Sequence, residues 1–264
     1  MKMPIRALIF DLDETLLFEE ASVHEALLVT GTAIQGRYEA DIAKLSQAVR
    51  FHAKELWRSF PTYEACKALG ISSWEGLATE FIGESTLIHS LRKLVPAYRK
   101  DTWMRALNDQ GIDDEGLAVE LAELFPIIRR EKHIPFPETG SVLDELKGQY
   151  ILGMITNGPS EHQREKLRVA GLEHYFSKIV VSGEIGIGKP DERIFQYALN
   201  QLGLKPSEAI MIGDSLERDI LGAERAGLQS VWINRHGAVC SSSQPKPCKE
   251  IANLRELQVV LKEM

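Results

Sequence analysis

The hydrophobic pattern changes period twice along the chain. At the start, Ala7-Leu8-Ile9-Phe10 runs unbroken into Asp11, and Leu12 separates that acid from Asp13. A short, bulky run with no polar position inside it predicts a strand buried on both faces, with Asp11 at its C-terminal tip. From about Phe18 to Glu131 apolar positions recur every three or four residues, as at Ile42, Leu45, Val49 and Ala53. That spacing predicts helices over residues 22–34, 40–57, 63–69, 87–107 and 115–130. Pro61, the stretch from Gly70 to Ser73, Gly83 and Gly111 separate them. Ile134-Pro135-Phe136-Pro137 then makes a stiff extended return.

Beyond Pro137 helix and strand alternate. Strands are predicted at 150–155, 178–182, 209–212 and 230–233, with helices at 138–147, 160–170, 191–202, 217–226 and 252–262. Ser160 is placed as an N-cap, Gln163 as its capping-box partner and Gly171 as the stop. Short apolar strands joined through helices require crossover connections, hence a parallel sheet. The expected fold is therefore α/β: a Rossmann-like parallel sheet core formed by residues 1–17 and 136–264, interrupted by an all-helical domain at 18–135. Trp57, Trp74 and Trp103 are expected to pack the interior of the helical insertion, stacking on a substrate being the alternative. Residues 241–247, rich in Ser and Pro, are expected to form an exposed loop.

Composition narrows the functions. The 264 residues, 44% of them hydrophobic, suffice for a sizeable core. A formal net charge of −7 argues against nucleic acid or an anionic membrane as a partner, and obliges any anionic substrate to find local positive charge. Lys2 and Arg6 precede an apolar run that Asp11 cuts too short for a signal peptide, and no later stretch approaches a membrane span. Cys66, Cys240 and Cys248 have neither metal-site spacing nor the even count of a disulfide framework, so a cytoplasmic, thiol-reduced protein is expected. Oligomeric state has no signature here.

Asp11 and Asp13 would project to one side if the extended backbone continued through them. Two carboxylates so close repel, and one retains its proton unless a cation lies between them. Oxygen donors without His or Cys suit a hard ion, Mg2+ first; the alternative is a strand ending in a solvated acidic turn. In an open parallel sheet, chemistry gathers beyond the carboxyl ends of the strands. Asp11 and Asp13, Thr156-Asn157 and Asp214 each follow an apolar run directly, and Lys189 sits in a glycine-rich loop before a helix. Taken singly, Thr156 is also readable as a hydroxyl satisfying a strand end, Lys189 as a solvated loop lysine, Asp214 as part of a helix cap and Asp219 as one more charge on that helix.

Together, in this order, Asp11-Leu12-Asp13-Glu14-Thr15, Thr156-Asn157-Gly158, Lys189-Pro190 and Gly213-Asp214-Ser215 with Asp219 resemble the motifs of the haloacid dehalogenase (HAD) superfamily. The helical insertion after the first motif resembles that superfamily's helical-cap subgroup. Residues 156–234, with Gln163-Arg164-Glu165-Lys166 and Val231-Trp232-Ile233-Asn234, are similar to the branch of N-acylneuraminate-9-phosphatase-like and nucleotidase-like phosphatases.

The resemblance implies a Mg2+-dependent phosphomonoesterase acting on a small soluble phosphorylated metabolite through an aspartyl-phosphate. Asp11 would be the nucleophile and Asp13 the general acid, then base. Mg2+ would be held by Asp11, Asp214 and the backbone carbonyl of Asp13. Thr156, the amide of Asn157 and Lys189 would hold phosphoryl oxygens. Asp219 and Ser215 would act one layer further out, Asp219 orienting metal-bound water or Lys189. The acid at position 13 favours phosphoryl transfer over dehalogenation. A phosphomutase of the same fold, or a non-catalytic phosphate-sensing or regulatory protein, are the alternatives. Glu14 stands where Gly or Asn is common, and is expected to face solvent or the cap hinge. The residues that choose the leaving group are expected within the helical insertion.

Overall fold

The computed structural model describes residues 4–241 and 244–264. Lys2, and Ser242 and Ser243 of the 241–247 stretch, lie outside the described residues. The chain divides into two compact units: residues 1–18, 135–157 and 170–264 form one, and residues 19–134 with 158–169 form the other. Residues 158–169 thus group with the helices of the insertion, whereas the sequence pattern placed them with the sheet.

In the first unit, β1 (Ala7–Phe10) is buried along its whole length, as an unbroken apolar run requires. In the second, α1 (Glu19–Gly31), α2 (Ile42–Arg58), α3 (Tyr63–Leu69), α4 (Ser73–Ala78), α5 (Thr86–Asn108) and α6 (Glu115–Glu131) follow one another. Four of the five predicted helices start and stop within two residues of expectation, whereas the first begins three residues early and ends as a 3-10 turn over Thr32–Ile34. The pattern missed α4, which is too short for periodicity. Its signal was local: Ser72 and Glu75 form a reciprocal capping box. Trp57 and Trp103 are buried among Leu45, Val49, Leu91 and Phe125, and Trp74 packs partly buried against the same cluster. The tryptophans are interior packing of this unit.

The chain then forms α7 (Thr139–Leu146), β2 (Ile151–Thr156), α8 (Ser160–Val169), β3 (Lys178–Val181), α9 (Ser182–Ile185), α10 (Glu192–Leu202), β4 (Ala209–Gly213), a π-turn over Leu216–Ile220, α11 (Leu221–Arg225), β5 (Gln229–Ile233), β6 (Lys249–Ile251) and α12 (Leu257–Glu263). The pattern did not show α9 or β6, each too short to carry a period. The six strands make one sheet in the order β3-β2-β1-β4-β5-β6, every pairing parallel. One face packs Ala7, Ile9 and Met211 against Ile194, Phe195, Leu199 and Ala223. In register, Phe10 stands beside Met154 on one side and Ile212 on the other. Because all strands run the same way, the ends of β1, β2 and β4 fall on one edge, and that edge carries Asp11, Thr156 and Asp214.

Candidate active site

The site begins where β1 stops. The Asp11 amide donates to the Ile212 carbonyl at 2.9 Å, so the backbone is still tied to β4 at this residue. The strand ends at Phe10, Asp13 makes an isolated bridge with Leu17, and the chain reverses at Glu14. The Leu16 and Leu17 amides turn back to the Leu12 carbonyl at 2.8 and 3.0 Å, and Glu14 adopts φ +59°. This left-handed conformation is one that Gly and Asn enter easily and that a glutamate adopts rarely. The residue is half-buried and borders a cavity of about 100 Å3 together with Asp214, Asn234 and Arg235.

Lys189 is the cation of the site. It is 4% exposed, which removes the solvated-loop alternative. Its Nζ lies 2.5 Å from Asp11 Oδ1 and 2.7 Å from Asp219 Oδ1. Burial alone would lower the Lys189 pKa, but the two carboxylates outweigh it and hold the ammonium up at about 12. Its backbone is held by Asn157, whose Oδ1 accepts the Lys189 amide at 2.9 Å and whose Nδ2 donates to the Lys189 carbonyl at 3.0 Å. The family resemblance implied a role for the Asn157 amide; this use of its side chain had no signature in the pattern. Thr156, 1% exposed, closes β2 immediately before it.

On the other side of β1, Gly213 ends β4 and Asp214 follows. Asp214 is fixed through its carbonyl, which accepts the Trp232 indole N–H at 2.7 Å. Ser215 caps the π-turn, its Oγ accepting the Arg218 amide at 3.2 Å, while its own amide donates to Asp219 Oδ2 at 3.0 Å. Gly213 is required for this approach, because a Cβ there would overlap the Asp219 carboxylate. Asp219 is thus a buried partner of Lys189, not a surface charge. Asp13 is half-buried in the turn after β1.

Asp11, Asp214 and Asp219 bring carboxylate oxygens within 4.8 Å of one another. Burial, then the facing Asp219 and Asp11, push Asp214 up to about 9. Burial likewise raises Asp11, with Lys189 pulling the other way. Three carboxylates against one ammonium leave an excess of negative charge in a desolvated place, and oxygen-only donors fit a hard divalent cation. A second group of potential ligands, Glu19, Glu75 and His162, lies in the helical unit. There the protein supplies the positive charge itself: Glu19 accepts two bonds from Arg129, at 2.6 and 2.7 Å, and lies 3.2 Å from Lys166 Nζ. The sheet-edge cluster is the better cation site.

Residues 5–227 match the family described as haloacid dehalogenase-like hydrolase. The chain is 35% identical to the phosphoserine phosphatase of Thermus thermophilus, over 96% of this chain and 98% of that one. It is 30% identical to the human N-acylneuraminate-9-phosphatase, over 98% and 95%. The structure of the HAD-hydrolase YfnB from Bacillus subtilis, solved with magnesium, superposes with a TM-score of 0.70 at 24% identity, covering 98% of this chain and 99% of that one. No described helix is long and apolar enough to cross a membrane.

Proposed function

We propose that this chain, which belongs to the haloacid dehalogenase-like hydrolases and is a phosphatase of that family, is a Mg2+-dependent phosphomonoesterase of small phosphorylated metabolites working through an aspartyl-phosphate. The observation that carries this reading is the meeting of Asp11, Asp214, Asp219 and Lys189 at one sheet edge. The family's two-part division, a core of 1–17 and 136–264 with a helical cap at 18–135, belongs to the same proposal, as does a cytoplasmic setting.

In this reading the Asp11 carboxylate attacks phosphorus and the ester oxygen departs with the bonding pair, taking a proton from Asp13. Asp13, now ionised, removes a proton from water as that water attacks the aspartyl-phosphate. The P–O bond to Asp11 breaks and inorganic phosphate leaves. Thr156, the Asn157 amide and Lys189 bind the phosphoryl oxygens, whose charge is redistributed in both steps. Asp219 holds the Lys189 ammonium in place, and Asn157 holds its backbone. Asp11, Asp214 and the Asp13 carbonyl would hold Mg2+, which supplies charge neutralisation for an incoming phosphate. The cation and Lys189 provide the positive charge that the chain's net −7 lacks.

The two similar phosphatases differ in substrate, so the leaving group is tested directly. The experiment is phosphate release from a panel including phosphoserine, a 9-phosphorylated acylneuraminate, sugar phosphates, nucleotides and an aryl phosphate, with Mg2+ or EDTA, beside Asp11→Asn. Mg2+-dependent turnover that Asp11→Asn abolishes is expected. Turnover surviving that substitution would overturn the mechanism. Silence across the panel, with phosphate still binding, would favour the mutase or sensing alternatives.

A further inference from the structure

The turn after β1 contains a residue that the backbone disfavours. Glu14 sits at φ +59°, a conformation that its Cβ disfavours and a glycine does not, and such strain persists only where surrounding groups over-determine it. Inside the turn the Glu14 amide donates to the Leu17 carbonyl at 2.8 Å. From outside, the Phe136 amide and the Thr139 hydroxyl both donate to the Leu16 carbonyl, at 3.0 and 2.9 Å. Closer to the acids, the carbonyl of fully buried Thr15 accepts Arg235 Nη2 at 2.9 Å.

Arg235 follows β5, more than two hundred residues along the chain, and its side chain is 12% exposed. Its other terminal nitrogen, Nη1, donates to Glu138 Oε1 at 2.8 Å, and its guanidinium carbon lies 3.4 Å from the centroid of the Phe136 ring. Phe136 in turn stacks on Phe18 at 5.0 Å. A planar fork can satisfy a carboxylate, a carbonyl and a ring face together, which an ammonium cannot. Arg235 also borders the cavity shared by Glu14 and Asp214. It therefore stands between the turn that bears Asp13 and the strand end that bears Asp214.

We propose that Arg235 is a positioning residue: by holding the Thr15 carbonyl it sets the Asp13-Glu14-Thr15 backbone, and with it the place from which Asp13 gives its proton to the leaving group. The inference rests on the phosphomonoesterase reading, and Arg235 itself touches none of the reacting atoms.

The test uses the full chain with Arg235→Lys and Arg235→Ala, the latter with and without added guanidinium ion. Two phosphates are compared by kcat/KM: a nitrophenyl ester, whose leaving group needs little proton help, and an alkyl ester, which needs Asp13. Arg235→Lys should lower kcat/KM for the alkyl ester about 10-fold or more while leaving the aryl ester within about twofold. Guanidinium should restore part of the loss in Arg235→Ala. Hydrogen–deuterium exchange over residues 12–18 should quicken in both variants, a readout independent of turnover. Equal losses on both esters, or unchanged exchange over 12–18, would overturn the proposal. If the parent protein hydrolyses neither ester, the phosphatase reading itself has failed, and the exchange result alone then decides whether Arg235 holds the turn.

Discussion

Asn157 grips Lys189 by both its backbone groups, accepting the amide at 2.9 Å and donating to the carbonyl at 3.0 Å. The two residues are 32 apart in sequence and come from the ends of different elements. Through this grip β2 dictates where the buried ammonium lies. Asn157→Ala would leave a buried donor and acceptor of Lys189 unpaired, at a cost of about 2 kcal/mol. A misplaced ammonium should also reduce kcat about 100-fold. Chemical denaturation and phosphate release measure the two effects, and a stability loss without a rate loss would show that the 186–190 loop holds Lys189 unaided.

Gly213→Ala tests the opposite flank of Lys189. The added methyl would occupy the space of the Asp219 carboxylate, which is 1% exposed and has nowhere to retreat. Overpacking of this kind costs about 1–3 kcal/mol. Loss of the Asp219 contact should lower kcat well beyond what the stability change explains. Asp219→Asn, which keeps the volume and drops the charge, should reproduce the rate effect with a milder melt. Full activity in both would remove Asp219 from the account.

Cation binding should depend on pH through Asp214. Its carboxyl is raised from 3.8 to about 9, so without a cation the folded state keeps a proton across that window which the unfolded state has released. Stability of the cation-free protein should then fall as pH rises toward 9. A divalent cation displaces the proton, so the increment in melting temperature given by Mg2+ should grow from about pH 7 upward. Melts in Mg2+ and in EDTA measure it, and an increment independent of pH would contradict the assignment.

Glu19 lies between two buried cations, with Arg129 1% exposed and Lys166 fully buried. Burial would raise its carboxyl, but Lys166 and Arg129 outweigh that and hold it well below the usual carboxylate range. Glu19→Gln removes the charge and keeps the shape. Leaving the two cations to face each other should cost about 3–5 kcal/mol. A urea midpoint unchanged by the substitution would mean the cluster is solvated in the native state.

His133 supplies a second pH signature, of opposite sign. Burial, and then Arg129, lower its imidazole from 6.5 to about 3. Between those values the unfolded chain takes up a proton that the folded chain refuses, so stability is lost as pH falls from 6.5 toward 3. Its Nδ1 accepts from Arg129 Nη1 at 2.8 Å, which a glutamine oxygen can reproduce. His133→Gln should flatten the acid limb of the stability profile, with buried His162, also lowered by burial, and the depressed Glu19 carboxyl contributing to what remains. An unchanged slope would assign the whole acid response to other groups.

The chain's own pattern determined the class of fold and the edge where chemistry collects. Period, run length and caps act within a few residues, which is why β1, the helix over Tyr63–Leu69 and the alternation after Pro137 were legible, and why acids directly after apolar runs marked the carboxyl ends of the strands. The three-residue β6 and the six-residue helix α4, less than two turns long, are too short to show an alternation or a helical period. Tertiary structure alone decided the rest: that Glu14 turns the chain back in a left-handed conformation directly after Asp13, that the Asn157 side chain serves Lys189, that Trp232 pins the Asp214 carbonyl, and that Arg235 reaches Thr15. The last three join residues distant in sequence through one or two hydrogen bonds. Such a contact leaves no periodic trace in the sequence, because its geometry exists only after the sheet has brought the strand ends side by side.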